Sequence, residues 1–354
     1  MRVLIVGGTG FIGRHVARAL DAAGCEVTVL HRGPHDGDLP GSVRHVRDES
    51  AAIPVTRFPD AALRPAPDVV VHMVPIGEAD ARAAVEAFRG VARRLVAVSS
   101  GDVYRAYGRL IGKEPSESPE WLSGSPGPFL PEDAPLRTTL YPYGREVEGP
   151  WGPLRDYEKI LVERAVLGEP GLPGTVLRLP KVYGPGDPRS VFLPYLKRMD
   201  DGRPAILLGY RQARWRWTHG YVEDVAAAIA LAAMDERAAG RVYNVGELPT
   251  PTLAARVLAL GRVAGWQGRI VTLPDDRLPA HLRTPYGSEP DLAYDTARIR
   301  TELGYRESVS PEEALARTVA WERGNAERRV DPAAFDYAAE DAVLRPGVTA
   351  APGR

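Results

Sequence analysis

The first residues with a chemistry of their own are glycines at the spacing that receives a phosphate. Gly7-Gly8-Thr9-Gly10-Phe11-Ile12-Gly13 repeats glycine every three residues, at 7, 10 and 13. A backbone free of Cβ atoms can come close to a pyrophosphate, and the unpaired N–H groups of a helix starting there face the anion. Gly7 lets the chain turn sharply, Gly10 leaves room for the pyrophosphate, and Gly13 lets the helix pack on a sheet. Thr9, Phe11 and Ile12 complete the same loop and count with it as dinucleotide contacts. Elements able to position the loop stand on both sides of it. Val3-Leu4-Ile5-Val6 is a continuous apolar run of the kind buried in parallel sheets, while Ile12, Val16 and Leu20 recur as one helical face and Gly24 supplies a stop. Strand, tight turn and helix in this order predict a dinucleotide site.

Strand-like runs continue at 27–30, 43–46, 68–72, 95–98 and 175–179, separated by helix-like stretches such as 79–88 and 157–167. This alternation predicts an α/β fold, a Rossmann-like doubly wound parallel sheet with ligands at the carboxyl ends of its strands. The pattern changes after residue 185 and returns to one more apolar strand at 242–245. The expected organisation is a dinucleotide-binding core over 1–180 with 215–247 returning to it. A smaller C-terminal substrate lobe would come from 181–214 and 248–325, and a peripheral, mobile tail from 326–354 ending in Pro346, Gly347, Pro352 and Gly353. Nine prolines fall between Pro115 and Pro153, a density that prevents helix and central strand alike. The accompanying Trp121, Phe129, Tyr141, Tyr143 and Trp151 favour an ordered flap, inserted at 108–153, over a disordered excursion.

A length of 354 residues allows a large core, and a formal charge of −1 gives no general attraction to nucleic acid or anionic membrane. No apolar stretch approaches the roughly 20 residues of a membrane span, so a soluble, cytoplasmic protein is expected. Cys25, the single cysteine, excludes an internal disulfide and reads as an inert thiol at a helix-to-strand turn. His31 and His35, the one histidine pair at helical spacing, straddle Gly33-Pro34 and so lie in a turn; no metal is expected.

Taken together, these motifs resemble those of an extended short-chain dehydrogenase/reductase of the NAD-dependent epimerase/dehydratase family, over most of residues 1–325. The glycine loop is similar to that family's G-x-x-G-x-x-G, and Ser99-Ser100-Gly101-Asp102-Val103-Tyr104 to its S-S-x-x-V-Y. Leu177-Arg178-Leu179-Pro180-Lys181-Val182-Tyr183-Gly184-Pro185-Gly186 resembles L-R-x-x-N-V-Y-G-P-G. Tyr221-Val222-Glu223-Asp224-Val225 resembles H-V-D-D-V, and Tyr243-Asn244-Val245-Gly246 resembles Y-N-V-G. The resemblance implies catalysis by a Ser, a Tyr and a Lys, the last two as Y-x-x-x-K on one helical face. There the ammonium lowers the phenol's pKa and holds the nicotinamide ribose. Ser100 occupies the serine position and Lys159 fits the lysine; Pro180 falls at a coenzyme-contacting position.

The tyrosine departs from the pattern, because Arg155 stands four residues before Lys159 and cannot donate a proton at neutral pH. Tyr157, two residues away, would lie roughly 200° around an ideal helix, packed with Leu161 and Ala165 as core. If the helix starts irregularly after Pro153, Tyr157 instead supplies the acid; Tyr141, Tyr143 and Tyr104 are further candidates. Lys159 has a surface role open to it as well, as partner of Glu163.

Where an NAD site places a carboxylate after its second strand, this chain has His31 and Arg32, and a guanidinium there suits the 2′-phosphate of NADP; NAD is the alternative. Asp48, after the third strand, stands near the adenine or caps a turn. Family members acting on nucleotide sugars carry Asn where Lys181 stands and Arg where Trp217 stands. Tyr104, Lys181, Arg189 and Arg216 are the substrate-side candidates, in a lobe made locally basic by Arg178 and Arg214 as well. In Arg214-Trp215-Arg216-Trp217 a strand would put arginines on one face and tryptophans on the other. The reading is a nicotinamide-dependent oxidoreductase or epimerase/dehydratase acting on a small hydroxylated or carbonyl compound, sugar-like in kind. Its alternative is a catalytically silent NAD(P)-binding sensor, which Arg155 favours and Ser100 and Lys159 oppose. An RNA-associated relative is disfavoured by the absent basic surplus. The resemblance allows a homodimer through the helices near 79–88 and 157–167.

Overall fold

The computed structural model describes residues 1–33, 37–49, 53–115, 129–144, 154–284, 290–325 and 331–345. His35, Trp121, Trp151 and the terminal prolines and glycines of the expected tail lie outside them. The core is a seven-stranded parallel sheet of β1 (Arg2–Val6), β2 (Glu26–His31), β3 (Arg44–Arg47), β4 (Val69–His72), β5 (Arg94–Ser100), β7 (Gly174–Leu179) and β11 (Val242–Asn244). Its order is β3-β2-β1-β4-β5-β7-β11, which reverses direction of growth between β1 and β4. A ligand crevice forms at such a reversal, outside the carboxyl ends of the strands.

Strand periodicity explains why both faces need helices. Val3, Ile5, Val27, Val29, Val69, Val71, Val96 and Val98 bury against one face, under the helices Gly13–Ala22 and Val222–Met234. Their neighbours Leu4, Val6, Leu30, Val70, Leu95 and Ala97 bury against the other, under Glu78–Phe88 and Lys159–Leu167. Side chains alternate across a strand, so a run apolar at every position can only be satisfied between two helical layers.

Small paired strands carry the rest of the chain. β6 (Phe129–Leu130) pairs with β13 (Ala293–Tyr294), β8 (Lys181–Tyr183) with β10 (His219–Tyr221), and β9 (Ala205–Gly209) with β12 (Arg269–Leu273). Among the described residues no helix is long and apolar enough to cross a membrane.

The described part of the expected tail is docked rather than loose. The helix Tyr337–Leu344 sends Glu340 into a buried pair with Arg198, whose Nη2 lies 2.6 Å from Glu340 Oε1, and His281 Nε2 lies 3.0 Å from the same oxygen. Arg198 also stacks over Phe335, and Arg203 over Tyr337. Over 331–345, within the segment expected to be a peripheral, mobile tail, the aromatic and acidic side chains meet cations on the helix Leu193–Asp200 and just beyond it.

Candidate active site

The glycine loop has the geometry its spacing predicts. Gly7 leaves β1 at φ +85°, and its N–H donates to the Leu30 carbonyl at 2.9 Å. A Cβ on Gly13 would fall on the Gly7 carbonyl oxygen and lie 2.8 Å from Gly8 Cα, so only glycine lets the helix start this close to the turn. A Cβ on the exposed Gly10 would meet nothing nearer than the Gly7 oxygen at 3.8 Å, leaving that side of the loop open. The loop runs straight into the helix, where the Arg14 N–H donates to the Gly10 carbonyl at 3.1 Å. Thr9, Phe11 and Ile12 are half-buried, the last two packed on the core. Sequence reasoning missed Arg14, whose Nη2 donates to the Pro185 carbonyl at 2.8 Å and pins the Gly184-Pro185-Gly186 turn beside the loop. Pro180 is buried at the end of β7, against Gly220 and Gly246.

At the carboxyl end of β2, His31 is buried. Its Nδ1 lies 3.1 Å from the Gly33 carbonyl and its Nε2 3.2 Å from His45 Nδ1. Arg32 is exposed at this edge, and Asp48 is half-buried, its N–H donating to the His31 carbonyl at 2.9 Å.

The reacting groups expected from the motifs meet at the ends of β5 and of the segment entering the helix Lys159–Leu167. Tyr157 is not on that helix. Glu158, its N-cap, is extended at φ −153° and ψ 92°, and the helix begins only at Lys159. In extended backbone, residues two apart project to the same side. Tyr157 and Lys159 therefore share a face, with Lys159 Nζ 5.5 Å from the centroid of the Tyr157 ring. The expectation that Tyr157 turns away to pack with Leu161 and Ala165 is corrected, since it assumed helix where the backbone is extended. The phenol donates to Asp102 Oδ2 at 2.6 Å, and Ser100 faces the same phenol oxygen and favours its ionisation. Arg155 is exposed, ahead of the helix.

Lys159 is buried, and its ammonium donates to the carbonyls of Pro75 and, at 3.0 Å, Val98. It does not pair with Glu163, whose carboxylate accepts from Ser99 Oγ at 2.6 Å and Arg178 Nη2 at 2.7 Å. Burial lowers the Lys159 pKa to about 8, against the opposing pull of Asp102, Asp80 and Glu163. Burial also raises Tyr157 and Asp102, and the carboxylate beside the phenol raises Tyr157 further. The wall behind these groups comes from the flap. Arg137 Nη2 lies 3.0 Å from Glu158 Oε1, with neither side chain exposed, and Arg137 Nε donates to the Asp102 carbonyl at 2.6 Å. Tyr143 brings its hydroxyl to 3.4 Å from Asp102 Oδ2.

Tyr104 does not reach this space. It is fully buried, donating to Asn244 Oδ1 at 2.6 Å and accepting from Arg178 Nη1 at 3.1 Å, so both it and Arg178 are interior supports. Lys181 stands over the Trp217 ring at 4.9 Å, its pKa lowered to about 8 by burial and by Arg189 and Arg256. Arg189 is exposed, while Arg216 is half-buried, with Nη1 donating to the Thr250 carbonyl at 2.7 Å. Arg214 ends the helix Tyr210–Arg214 and so is not part of an alternating strand.

The sequence pattern of the NAD dependent epimerase/dehydratase family matches residues 3–123 and 138–246. A dTDP-glucose 4,6-dehydratase of Streptomyces niveus is 27% identical over 350 residues, covering 92% of this chain and 94% of the relative. A 2'-dehydrokanamycin reductase of Streptomyces kanamyceticus is 31% identical over 279 residues, 74% of this chain and 67% of the relative. Among solved structures, a UDP-glucose 4-epimerase of Thermus thermophilus in complex with NAD superposes with a TM-score of 0.62 at 24% identity, covering 92% of this chain and 99% of that one.

Proposed function

The chain belongs to the NAD dependent epimerase/dehydratase family, and we propose that it is a nicotinamide-dependent oxidoreductase or epimerase/dehydratase acting on a small hydroxylated or carbonyl compound, sugar-like in kind. The observation carrying this is the meeting of Ser100, Tyr157 and Lys159 on one face. A nicotinamide dinucleotide held here would supply the acceptance and return of a hydride. The loop 7–13 would hold its pyrophosphate, and Lys159 its nicotinamide ribose. Ser100 orients the substrate oxygen, and Tyr157 exchanges a proton with it, a contribution of typically 10²- to 10⁴-fold. The sensor reading depended on Arg155 leaving no acid at the site; a phenol at Ser100 removes that reason. Nicotinamide oxidation against a carbonyl panel should fall with Ser100→Ala, Tyr157→Phe and Lys159→Ala, and equal rates in all four proteins would remove the site.

Arg32, exposed where a carboxylate would select NAD, supports NADP as the coenzyme. A clear preference for NADH in parallel titrations would reverse this. The relatives' names point to nucleotide sugars, yet Lys181 stacked on Trp217 replaces the amide and guanidinium of that site. We therefore assign the substrate an anionic or hydroxylated group at Lys181, with Arg189 and Arg216 nearby. Pairing of the helices Glu78–Phe88 and Lys159–Leu167 across a two-fold axis would give a homodimer, which sedimentation tests.

A further inference from the structure

We propose that Asp102 is the proton-accepting partner of Tyr157: a proton taken from a substrate hydroxyl by the phenol is matched by one passed from the phenol to the carboxylate. The proposal rests on the reading of Ser100, Tyr157 and Lys159 as the reacting site.

The surroundings of Asp102 differ from those of three buried carboxylates near it in the fold, Glu163, Glu158 and Asp80. Glu163 is held by Arg178, Glu158 by Arg137 and two backbone N–H groups, and Asp80 by the N–H groups of Ile76, Gly77 and Ala81. Each of these stabilises local architecture. The Asp102 carboxylate has phenols as its hydrogen-bond donors: Tyr157 at 2.6 Å and Tyr143 at 3.4 Å, both on Oδ2. Its Oδ1 is buried and, among the described residues, accepts nothing. Arg137 reaches the main-chain oxygen of Asp102 and Lys159 reaches the carbonyls of Pro75 and Val98, so neither cation neutralises the carboxylate by direct contact. A buried carboxylate without an ion-pair partner is costly to keep ionised, which favours its taking up a proton. Asp102 follows Ser100 by two residues, in the turn Gly101–Val103, which fixes it behind the phenol instead of in the substrate's place.

The step moves protons only. The substrate O–H breaks and a new O–H forms on Tyr157 Oη, while the phenol's original proton crosses its hydrogen bond to Asp102 Oδ2. The products are a neutral phenol, a neutral carboxylic acid and an anionic substrate oxygen; run backwards, the same step protonates a reduced carbonyl. Tyr157 never has to exist as a free phenolate, which burial and the adjacent carboxylate both disfavour. The charges facing Asp102 are Lys159 and Arg137, which favour its anion, and Glu158, which opposes it; Tyr157, Tyr143, Tyr107 and Tyr294 surround it as neutral phenols. Burial outweighs the cations and raises the carboxyl above its ordinary range. Asp102 acts through Tyr157 and is in that sense a positioning residue.

In alcohol oxidation the acidic limb of the pH profile then belongs to Asp102. Asp102→Asn should lower turnover about 10²-fold or more and move that limb to the alkaline side by about one unit or more, because the phenol itself must now ionise. Asp102→Glu should restore the limb. The ultraviolet tyrosinate titration of the coenzyme-free protein gives a readout without turnover. Asp102→Asn should make one tyrosine ionise at lower pH than in the parent, and the step should vanish in Asp102→Asn/Tyr157→Phe. Coenzyme binding by calorimetry separates the two readings. A variant that binds coenzyme like the parent but leaves both titrations unmoved overturns the relay alone; a parent that binds neither coenzyme overturns the site and the relay with it.

Discussion

Glu158→Gln tests whether the extended residue between Tyr157 and Lys159 is held by charge. Glu158 accepts from Arg137 Nη1 at 3.3 Å and Nη2 at 3.0 Å, from the Tyr141 N–H at 2.5 Å and from the Ile160 N–H at 2.9 Å. The amide keeps one accepting oxygen, loses the other and removes the charge, leaving the Arg137 guanidinium at 0% exposure without a counter-ion. Breaking a buried pair from one side costs about 3–5 kcal/mol, a large share of a typical stability of about 5–15 kcal/mol. With a urea slope toward the upper end of about 1–3 kcal/mol per molar, the unfolding midpoint should fall by roughly 1–2 M. Arg137→Met/Glu158→Leu, which removes both charges, should cost less than the sum of the single changes by at least about 1 kcal/mol. A single variant within about 1 kcal/mol of the parent, or an additive double variant, would refute the reasoning.

Gly13→Ala should weaken coenzyme binding about tenfold or more, because its Cβ would strike the Gly7 carbonyl and overpacking costs about 1–3 kcal/mol; unchanged calorimetric affinity would count against the loop. Lys181, with its pKa lowered from 10.5 to about 8, is charged below that pH in both folded and unfolded chains. Between about 8 and 10.5 the folded protein releases a proton that the unfolded chain keeps, so stability rises with pH across that window. Lys181→Met should accordingly be more stable than the parent near neutrality and lose that advantage as pH climbs through the window, and an advantage that persists would contradict the burial argument. Glu340→Gln in the otherwise unchanged chain leaves buried Arg198 without its counter-charge, for an expected loss of about 3–5 kcal/mol; an unshifted melting temperature would show the pair to be idle.

The core sheet was legible because its central strands are apolar at consecutive positions, Val3 to Val6 and Val69 to Val71 for instance, and only a two-sided burial explains that. The glycine loop was legible for the same kind of reason: Gly13 answers a steric demand that no other residue meets. Contacts made between distant residues left no local pattern. Arg198 and Glu340 are 142 positions apart, and nothing in either neighbourhood announces the other. Two-residue strands such as Phe129–Leu130 are too short for any periodicity to show. Tyr104 was misplaced because its motif position was legible while its partners, Asn244 and Arg178, come from other strands.

The tyrosine was the sharpest departure in the sequence, and the backbone accounts for it. A four-residue spacing matters only because it puts two side chains on one side of a helix; an extended residue does the same at a spacing of two. Glu158 is that residue, and Arg137 and Tyr141 from the flap hold it in place. Arg155 is exposed and ahead of the helix. Arg155→Tyr would restore the family spacing on paper, yet its phenol would start from the surface, while Tyr157 already holds the hydrogen bond to Asp102. Turnover of Arg155→Tyr should match the parent within about twofold, and the double variant Arg155→Tyr/Tyr157→Phe should be as slow as Tyr157→Phe alone, by about 10²-fold or more. Recovery of the lost rate in that double variant would mean that position 155 reaches the site and that the extended segment is not what aligns the acid with Lys159.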